Sequence, residues 1–292
     1  MTSESPMTYF YYPPQRKVET IKIILGSKGN LAIGLKNKYP DALIIPRMVF
    51  TNWIKKPEMF AIDLKLNESD NSNTIIFNAS GIIDSRANQD EIMLTNESLP
   101  KFLRESSKKF QIKLVTFGTV MENYPKYAKN NNYLNSKLNF YKEIRNEIAE
   151  THLHVQMHTL YGGRNLHRFM FIGQIFDAIN KNEMFQMSSG EQLREYHHIN
   201  DDLSALGRLL DNKEFGIHHI SHSKPIKLYE LANRLFSYYG KEALLVKNSL
   251  TQQEFENTSY VFQMEEAYKD VVFRDAVNGI INWYQDLGLP HG

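Results

Sequence analysis

The sequence contains no cysteine among its 292 residues. This absence excludes a disulfide framework, a zinc site with cysteine ligands and a cysteine nucleophile. An excess of one charge is also lacking, since 34 Lys and Arg residues oppose 33 Asp and Glu residues. A chain balanced in this way has no electrostatic surface for non-specific nucleic-acid binding, and we expect no nucleic-acid partner.

Long apolar runs are missing as well. No segment approaches the length of a membrane span, and the N-terminus has no signal-peptide core. We therefore expect no membrane association and a cytoplasmic location. The remaining composition is ordinary for a globular protein, with 42% apolar and 23% charged residues. The length suits two lobes that share a core.

Residues 1–19 are predicted to be an N-terminal tail. The segment begins polar, continues with the aromatic run Tyr9-Phe-Tyr-Tyr and is broken by Pro13 and Pro14. Two consecutive prolines continue neither a helix nor a central strand. Because exposed aromatic rings tend to associate with other apolar surfaces, we expect the aromatic run to dock on the body of the protein or on a partner.

From residue 20 onward, short β-branched segments alternate with helical patterns. Apolar strands separated by helices predict a parallel sheet covered on both faces, which is a doubly wound α/β fold. Ligands of such folds bind beyond the carboxyl ends of the strands. Residues 51–73 are difficult to assign. The strand and helix that a doubly wound fold usually has at this point are shortened. The predicted strands cover residues 21–25, 42–45, 74–79, 111–116 and 152–157, and the helices cover 31–37, 99–108 and 134–149.

A glycine-rich turn, Gly26-Ser-Lys-Gly-Asn-Leu-Ala32, leaves the first strand and enters the first helix. Gly26 can make the tight turn, Gly29 lets the backbone approach a pyrophosphate, and Ala32 is small enough for helix–strand packing. The N–H groups that begin the helix, at Asn30 and Leu31, then face the phosphates. The correct flanking elements favour dinucleotide binding over a plain corner that happens to contain glycines.

The choice of dinucleotide depends on the charge that faces the adenosine ribose. A 2′-hydroxyl favours a carboxylate at the end of the second strand, whereas a 2′-phosphate favours a cation. Here that strand ends in Ile45-Pro-Arg47 without an acid, and Lys28 lies inside the glycine turn. We therefore expect NADP as the cofactor, with NAD as the alternative if both cations are merely solvated.

Tyr133 and Lys137 are four residues apart in a predicted helix and would share one face. An ammonium beside a phenol stabilises the phenolate and lowers the phenol pKa from its usual value of about 10. The phenol can then act as general acid or base toward a carbonyl or alcohol oxygen, and the same lysine can bond a ribose. An exposed helix pair is the plain alternative. The position, where the helix after the fourth strand opens, favours catalysis.

These segments, in this order, resemble the extended short-chain dehydrogenase/reductases, the group that modifies nucleotide-linked sugars. The resemblance extends over most of residues 20–288. Its most specific segment, from Gly190 to Asp201, is similar to the family's Gly-x-Gln-x-Arg-Asp-Phe-x-x-Val-Asp-Asp. The other matching features are the glycine turn, Asn78-Ala-Ser-Gly81, Asn96, the Tyr133–Lys137 pair, Thr159-Leu-Tyr-Gly-Gly163 and the closing helix near residues 273–284.

The resemblance implies cofactor contacts at the end of the third strand and substrate contacts further on. Arg194 would bind the diphosphate of the substrate. Thr159 replaces an Asn of the family, which weakens the contact expected there. Arg164 lies in a loop where it meets either a substrate phosphate or only solvent. The implied cofactor residues at the third strand are Asn78, Ala79 and Ser80.

The family's third catalytic residue, a Ser or Thr three positions before a Val, is missing. Counting back from Val120 gives Phe117, and a phenyl ring cannot hydrogen-bond a substrate oxygen. Thr116 and Thr119 flank it, and a small shift could place either hydroxyl correctly. We prefer Thr119, because Thr116 should still lie in the strand and point elsewhere. Gly118 with Thr119 replaces the acidic pair of the family's dehydratases, which argues against 4,6-dehydration.

The histidines predict no metal site. In the pairs at residues 197–198 and 218–219, adjacent rings on a strand point to opposite faces and cannot chelate together. Three more histidines, at positions 152, 154 and 158, are separated by even numbers of residues and could share one face of the fifth strand. No carboxylate clearly accompanies them in the sequence. Asp201 is expected to cap the helix that follows it.

The residues and the resemblance together predict an NADP-linked oxidoreductase of nucleotide sugars, with 4-keto reduction as the preferred reaction. Residues 20–160 would form the dinucleotide-binding domain and residues 161–292 the substrate lobe, with a return crossing at about 190–222. An epimerase with tightly bound NAD and a catalytically degenerate dinucleotide-binding protein stay as alternatives. The sugar, the base and the oligomeric state, including a homodimer, are left open.

Overall fold

Six parallel strands form the central sheet. The structure, a computed structural model, describes residues 20–66, 71–147, 150–251 and 257–290, so the predicted tail at residues 1–19 lies outside the described residues. The strands are β1 Ile21–Leu25, β2 Leu43–Ile45, β3 Thr74–Asn78, β4 Lys113–Thr119, β5 His152–Met157 and β10 Gly216–His219, in the spatial order β2-β1-β3-β4-β5-β10. The doubly wound α/β fold predicted from the sequence is confirmed.

Helices cover both faces of this sheet. One face packs against α1 and α8, and the other against α2, α3 and α5. The helices are α1 Asn30–Lys38, α2 Arg47–Lys55, α3 Glu58–Leu64, α4 Gln89–Met93, α5 Leu99–Phe110, α6 Asn132–Ile144, α7 Phe171–Lys181, α8 Ile199–Asp211, α9 Leu228–Tyr238 and α10 Ala276–Asp286. A π-helical turn spans Leu94–Ser98, and 3₁₀ turns span Val120–Asn123, Pro125–Asn130, Glu242–Leu244 and Glu266–Tyr268.

A second core lies among α7, α9 and α10 and contains the side chains of Phe176, Phe236 and Trp283. Short strand pairs frame it: β6 with β9, β7 with β12, and β8 with β11. Their bounds are β6 Thr159–Tyr161, β7 Phe185–Gln186, β8 Leu193–Arg194, β9 Tyr196–His198, β11 Ile226–Lys227 and β12 Leu245–Val246. Between β9 and β11 the chain returns to the first core, where α8 packs on α1 and β10 joins the edge of the sheet.

β4 begins two residues later and extends further than the predicted strand at 111–116. Gln111 adopts a left-handed conformation (φ 55°) at the end of α5, so the strand can begin only after it. Pairing with β5 then continues as far as Thr119, which lies opposite Met157. Both candidate hydroxyls, those of Thr116 and Thr119, therefore belong to β4.

Two short helices occupy most of the segment that the sequence left unassigned. Pro46 stands at the N-cap of α2, so Arg47, expected at the end of the second strand, is instead the first residue of that helix. The buried rings of Phe50, Trp53 and Phe60 pack against β1 and α5. Within the described part of residues 51–73, helix therefore replaces the usual additional strand.

The prediction that Asp201 caps the following helix is wrong. α8 begins earlier, at Ile199, and the side chain of His198 accepts the N–H of Asn200 (3.2 Å) as its N-cap. Asp201 lies in the first turn, where it accepts the backbone N–H of Arg274 (2.9 Å) and pairs with its guanidinium. The carboxylate thus ties α8 to the segment that precedes α10.

Candidate active site

The glycine turn lies at the switch point of the sheet, because β2 and β3 pair with opposite edges of β1. Gly26 has a φ of +104°, and a Cβ there would stand 3.4 Å from the carbonyl oxygen of Ala79 at the end of β3. That backbone conformation favours glycine. Gly29 is the N-cap of α1, and a Cβ on it would meet nothing within 4 Å. The position beside Gly29 is therefore open.

This turn fits a bound pyrophosphate. No side chain of the described residues caps α1, so the N–H groups at its start, those of Asn30 and Leu31, remain available to a ligand. Partial positive charge gathers at the same end of the helix. Ala32 is buried and lets the helix approach the sheet. These are the features with which helix N-termini bind phosphate groups.

A loop from the second lobe lies directly on the glycine turn. Asn30 donates from its amide to the carbonyl oxygen of Asn165 (2.8 Å) and accepts the backbone N–H of that residue (3.1 Å). The amide of Asn165 donates to the carbonyl oxygen of Lys28 (2.8 Å). Arg164, the exposed residue before Asn165, is therefore placed beside the glycine turn. It does not line the cleft that contains Arg194.

The end of β3 borders the turn through polar side chains. Asn78 is buried, and its amide oxygen accepts the hydroxyl proton of Ser80. The contact between Gly26 and Ala79 brings this segment beside the turn. The three residues that the resemblance assigns to the cofactor thus lie next to the open end of α1.

Arg47 lies near the same turn, because the N–H of Gly26 donates to the carbonyl oxygen of Ile45 (3.0 Å). Its side chain is 48% exposed and lies 3.6 Å from the carboxylate of Glu91. A long hydrogen bond of 3.4 Å joins the guanidinium to the hydroxyl of Thr95. The guanidinium is therefore accessible to a ligand and only weakly held.

Tyr133 and Lys137 lie one turn apart near the start of α6, whose N-cap is the side chain of Asn131. Both side chains are half-buried. The ammonium of Lys137 donates to the carbonyl oxygen of Phe117 (2.8 Å), so this face of α6 lies against the end of β4. The side chain of Phe117 itself belongs to the core.

Asn96 joins α6 to the loop after β3. It lies in the π-helical turn and is almost fully buried. Its amide oxygen accepts the N–H of Ile82 (2.9 Å), and its amide nitrogen donates to the carbonyl oxygen of Ile82 (2.8 Å) and to the hydroxyl of Ser136 (3.2 Å). Ser136 donates in turn to the carbonyl oxygen of Tyr133 (2.7 Å). The cofactor side of the cleft and the helix of the phenol therefore hold each other in place.

The two candidate hydroxyls have different surroundings. Thr119 is half-buried at the end of β4, and its oxygen accepts the N–H of Met121 (3.3 Å), which leaves its own proton to donate. Thr116 is buried between the imidazoles of His152 and His154, at 2.7 Å from each. Thr116 is thus already engaged within the protein, whereas Thr119 keeps a proton for a ligand.

Sequence reasoning missed Glu122, whose carboxylate is 2% exposed beside the end of β4. It accepts the backbone N–H of Thr119 (3.1 Å) and the amide N–H of Gln156 (3.0 Å), and it lies 3.1 Å from Nε2 of His154. The sequence signal was available, because Thr119-x-x-Glu122 is a capping-box pattern. That pattern predicts a turn and gives no hint of a buried charge.

The expectation that Lys137 lowers the pKa of Tyr133 is wrong for this structure. Burial raises the pKa of Tyr133, and the negative charge of Glu122 raises it further. Burial lowers the pKa of Lys137, and Glu122 opposes this effect. Tyr133 is therefore a protonated phenol at neutral pH, and it holds its proton more firmly than a free phenol does.

A cleft beside the 3₁₀ turn at Val120–Asn123 contains Arg194. Aromatic rings of Tyr124, Tyr260 and Phe262 line it. His158 also lines it, and its buried Nε2 has no hydrogen-bond partner among the described residues. Burial lowers the pKa of His158 to about 3, so the ring is neutral. The remaining predicted substrate residue, Thr159, follows His158 and is half-buried.

Glu195, His197 and His222 bring three potential metal ligands together, although the sequence predicted none. These groups already satisfy one another. His197 lies 3.0 Å from Glu195 and 2.7 Å from Asp202, and Nδ1 of His222 accepts the N–H of Lys224 (3.0 Å). Burial opposes protonation of His197, but Asp202 and Glu195 together raise its pKa to about 9. An imidazolium between two carboxylates accounts for the cluster.

The architecture is a Rossmann-type α/β fold with a second lobe. No family model matches the sequence, and no curated protein does. None of the helices in the described ranges has the length and apolar character that crossing a bilayer requires.

Several solved structures share this fold. WbmG from Bordetella bronchiseptica, in complex with NAD, superposes with a TM-score of 0.70 at 14% identity, over 96% of this chain and 98% of that one. A dTDP-4-dehydrorhamnose reductase from Bacillus anthracis, in complex with NADP, gives 0.66 at 18% identity, over 92% and 100%. MoeE5, in complex with UDP-glucose and NAD, gives 0.68 at 14% identity, over 91% and 97%.

Proposed function

We propose that this protein is an NADP-dependent reductase of a nucleotide-linked keto sugar, with Tyr133 as the general acid and reduction at the 4-keto position. NAD is the alternative cofactor. The observation that carries the proposal is the placement of Tyr133 and Lys137 on one face of α6, against the end of β4. The glycine turn lies at the switch point, at the carboxyl ends of the strands of the same sheet.

The protonated phenol of Tyr133 is compatible with reduction. A reductase needs a proton donor at the carbonyl oxygen, whereas an oxidation half-reaction needs a base. Burial and Glu122 both raise the pKa of Tyr133, so the phenol carries its proton before the reaction begins. In an epimerase the same group would serve as acid and base in turn, so the fate of the cofactor distinguishes the two reactions.

Each residue of the site would have its own role in hydride transfer, proton transfer or substrate binding. The dinucleotide supplies the hydride when it is bound. Tyr133 delivers a proton to the developing alkoxide, and Thr119 donates a hydrogen bond to the same oxygen. Lys137 holds the ribose and keeps its positive charge near the phenol. Arg194, in the cleft beside Val120 and Tyr124, neutralises the diphosphate of the substrate.

The known proteins that share the fold agree with this chemistry. Two of the three are described with NAD and one with NADP, and one also holds UDP-glucose. At 14 to 18% identity they establish the fold alone. The reaction assigned to this chain depends on its own residues.

The test is NADPH oxidation followed by absorbance with a panel of UDP- and dTDP-linked 4-keto sugars. Replacing Tyr133→Phe should lower kcat about 10²- to 10⁴-fold, the usual contribution of a general acid, while the Kd of NADP changes little. Tyr141→Phe on the same helix is the matched control and should keep full turnover. Equal activity in Tyr133→Phe and the wild type would remove the phenol from the mechanism.

A non-catalytic dinucleotide-binding protein is the second candidate, and Phe117 favours it. Its ring is 8% exposed and packs in the core where the family has a hydroxyl. This alternative predicts tight binding of NADP or NAD without turnover across the whole panel. Release of bound NAD from the purified protein, with no net consumption of NADPH, would instead indicate the epimerase.

A further inference from the structure

We propose that Glu122 is a positioning residue of this site: its carboxylate holds Lys137 as an ammonium ion at the end of β4. The proposal rests on the proposed function only for its catalytic consequence. The placement of both groups around the peptide between Phe117 and Gly118 does not depend on any substrate.

The carboxylate and the ammonium lie on neighbouring parts of the same peptide unit. Lys137 bonds the carbonyl oxygen of Phe117, which belongs to the peptide that joins it to Gly118. Glu122 packs on the Cα of Gly118, because a Cβ built there would lie 2.5 and 2.6 Å from the two carboxylate oxygens. Only glycine leaves room for this arrangement. The negative charge therefore lies over the strand end that the ammonium contacts.

Three donors hold the carboxylate in position. The backbone N–H of Thr119 and the amide N–H of Gln156 each donate to it. The orientation of Gln156 is fixed, because its amide oxygen accepts a proton from Asn123 (2.9 Å). The third donor is His154, with Nε2 at 3.1 Å. These contacts fix the carboxylate beside Gly118.

A buried chain of hydrogen bonds leads to the carboxylate. The Thr116 hydroxyl lies 2.7 Å from Nε2 of His152 and from Nδ1 of His154, so it can accept from one ring and donate to the other. Burial lowers the pKa of His152 to about 3, so this ring is neutral. When Nε2 of His154 donates to Glu122, its Nδ1 accepts from Thr116, which accepts in turn from His152. The chain is thus able to support a donor toward the carboxylate.

Groups from its own turn, from β5 and from α6 surround Glu122. Histidine and amide side chains face it from β5, the N–H of Thr119 faces it from its own turn, and Tyr133 and Lys137 act on it from α6. Lys137 is the one cation among these groups in the described part of the chain. Desolvation disfavours the ammonium, and the opposite charge of Glu122 counteracts that effect. Glu122 is buried and Lys137 is half-buried, so solvent screens the attraction between them less than at an exposed surface.

The test measures the protonation of Lys137 by NMR of protein labelled with ¹³C-lysine, with the signal assigned by Lys137→Arg. Glu122→Gln keeps an acceptor for Thr119 but removes the charge. We expect the titration midpoint of Lys137 to fall by about one pH unit or more, the usual effect of a nearby opposite charge. Glu122→Asp, which keeps the charge on a shorter chain, should give an intermediate midpoint, and it serves as the second variant if Glu122→Gln is unstable.

Glu265→Gln is the matched control, because Glu265 is also a partly buried carboxylate held by a histidine and a backbone N–H, at the far edge of the sheet. It should leave the Lys137 midpoint unchanged. An unchanged midpoint in Glu122→Gln would overturn the proposal, since a purely structural acceptor would behave in this way.

Activity measurements add an independent result. In the wild type, kcat/KM should fall at high pH when Lys137 loses its proton, and Glu122→Gln should move that fall to lower pH while Glu265→Gln does not. If no substrate is ever turned over, the proposed function fails and the NMR titration still decides the role of Glu122. If turnover is found but the Lys137 midpoint is insensitive to Glu122, the present inference alone fails.

Discussion

Arg47 is the residue that we expect to distinguish NADP from NAD. It opens α2 beside the glycine turn, and its side chain is about half exposed. Its contacts with Glu91 at 3.6 Å and Thr95 at 3.4 Å are long. Surface pairs of this kind contribute about 0–1 kcal/mol, so the guanidinium can turn toward a 2′-phosphate at little expense.

Replacing Arg47→Ala should raise the Kd of NADP about tenfold and leave that of NAD nearly unchanged. The reason is that a hydrogen bond to a charged group contributes about 1.5–3 kcal/mol, and only NADP carries the additional phosphate. Isothermal titration calorimetry with both dinucleotides measures this. Lys56→Ala, an exposed lysine just beyond α2, is the control. If Arg47→Ala raised the Kd of both dinucleotides equally, Arg47 would contact a part of the cofactor other than the 2′-phosphate.

The Tyr133–Lys137 pair shows how far a residue-scale reading of the sequence extends. The four-residue spacing correctly predicts one helix face, because helical geometry is local. The pKa of Tyr133 was predicted in the wrong direction, because burial and Glu122 determine it. A short motif specifies which groups are near each other along a helix and says little about the solvent and charges around them.

At the scale of elements, α10 packs against β6 at a glycine. A Cβ on Gly279 would lie 1.8 Å from the hydroxyl oxygen of Tyr161 and 2.7 Å from its ring carbon Cζ. That hydroxyl is buried and has no partner among the described residues. The close approach of helix and strand therefore depends on the absence of a side chain at this position.

Replacing Gly279→Ala should lower the free energy of unfolding by about 1–3 kcal/mol, the usual effect of overpacking. Combining it with Tyr161→Phe should recover part of that loss, because the nearest clashing atom is removed. Chemical denaturation of the two single variants and the double variant measures the coupling. Asn282→Ala, at an exposed position of α10, is the control. Additive effects of the two substitutions would contradict this packing.

The elements also show which patterns the sequence encodes. β1, β3 and β5 are apolar runs bounded by turns, and they were found close to their observed limits. β4 was shifted by two residues, because Gln111 continues the preceding α5 into a left-handed turn that no apolar pattern reveals. The segment containing α2 and α3 was unassigned because its buried rings become an apolar face only when packed against the sheet.

At the scale of the whole molecule, the second lobe contacts the glycine turn through the loop at residues 162–165. Asn165 bonds Asn30 and Lys28, and Trp283 of α10 donates from its indole to the carbonyl oxygen of Gly163 (2.7 Å). This loop is a direct contact between the two lobes, so we expect a ligand at the start of α1 to alter the surroundings of Trp283.

This contact predicts a fluorescence signal. The chain has 2 Trp residues, and Trp53 is buried among the helices on one face of the sheet. Binding of NADP⁺ should change the emission of Trp283 by altering the loop that its indole contacts. The change should persist in Trp53→Phe and disappear in Trp283→Phe. A change that instead follows Trp53 would mean that the signal does not pass through the loop.

The sequence by itself determined the features that depend on near neighbours. These are the glycine turn between strand and helix, the shared face of Tyr133 and Lys137, and the alternation of strand and helix. Tertiary structure alone decided the contacts between distant segments. Glu122 reaches His154, 32 residues away, and Asn30 bonds Asn165, 135 residues away. The physical reason is that charge, burial and hydrogen-bond partners depend on distances in space, and a pattern along the chain specifies only those that helices, strands and turns create locally.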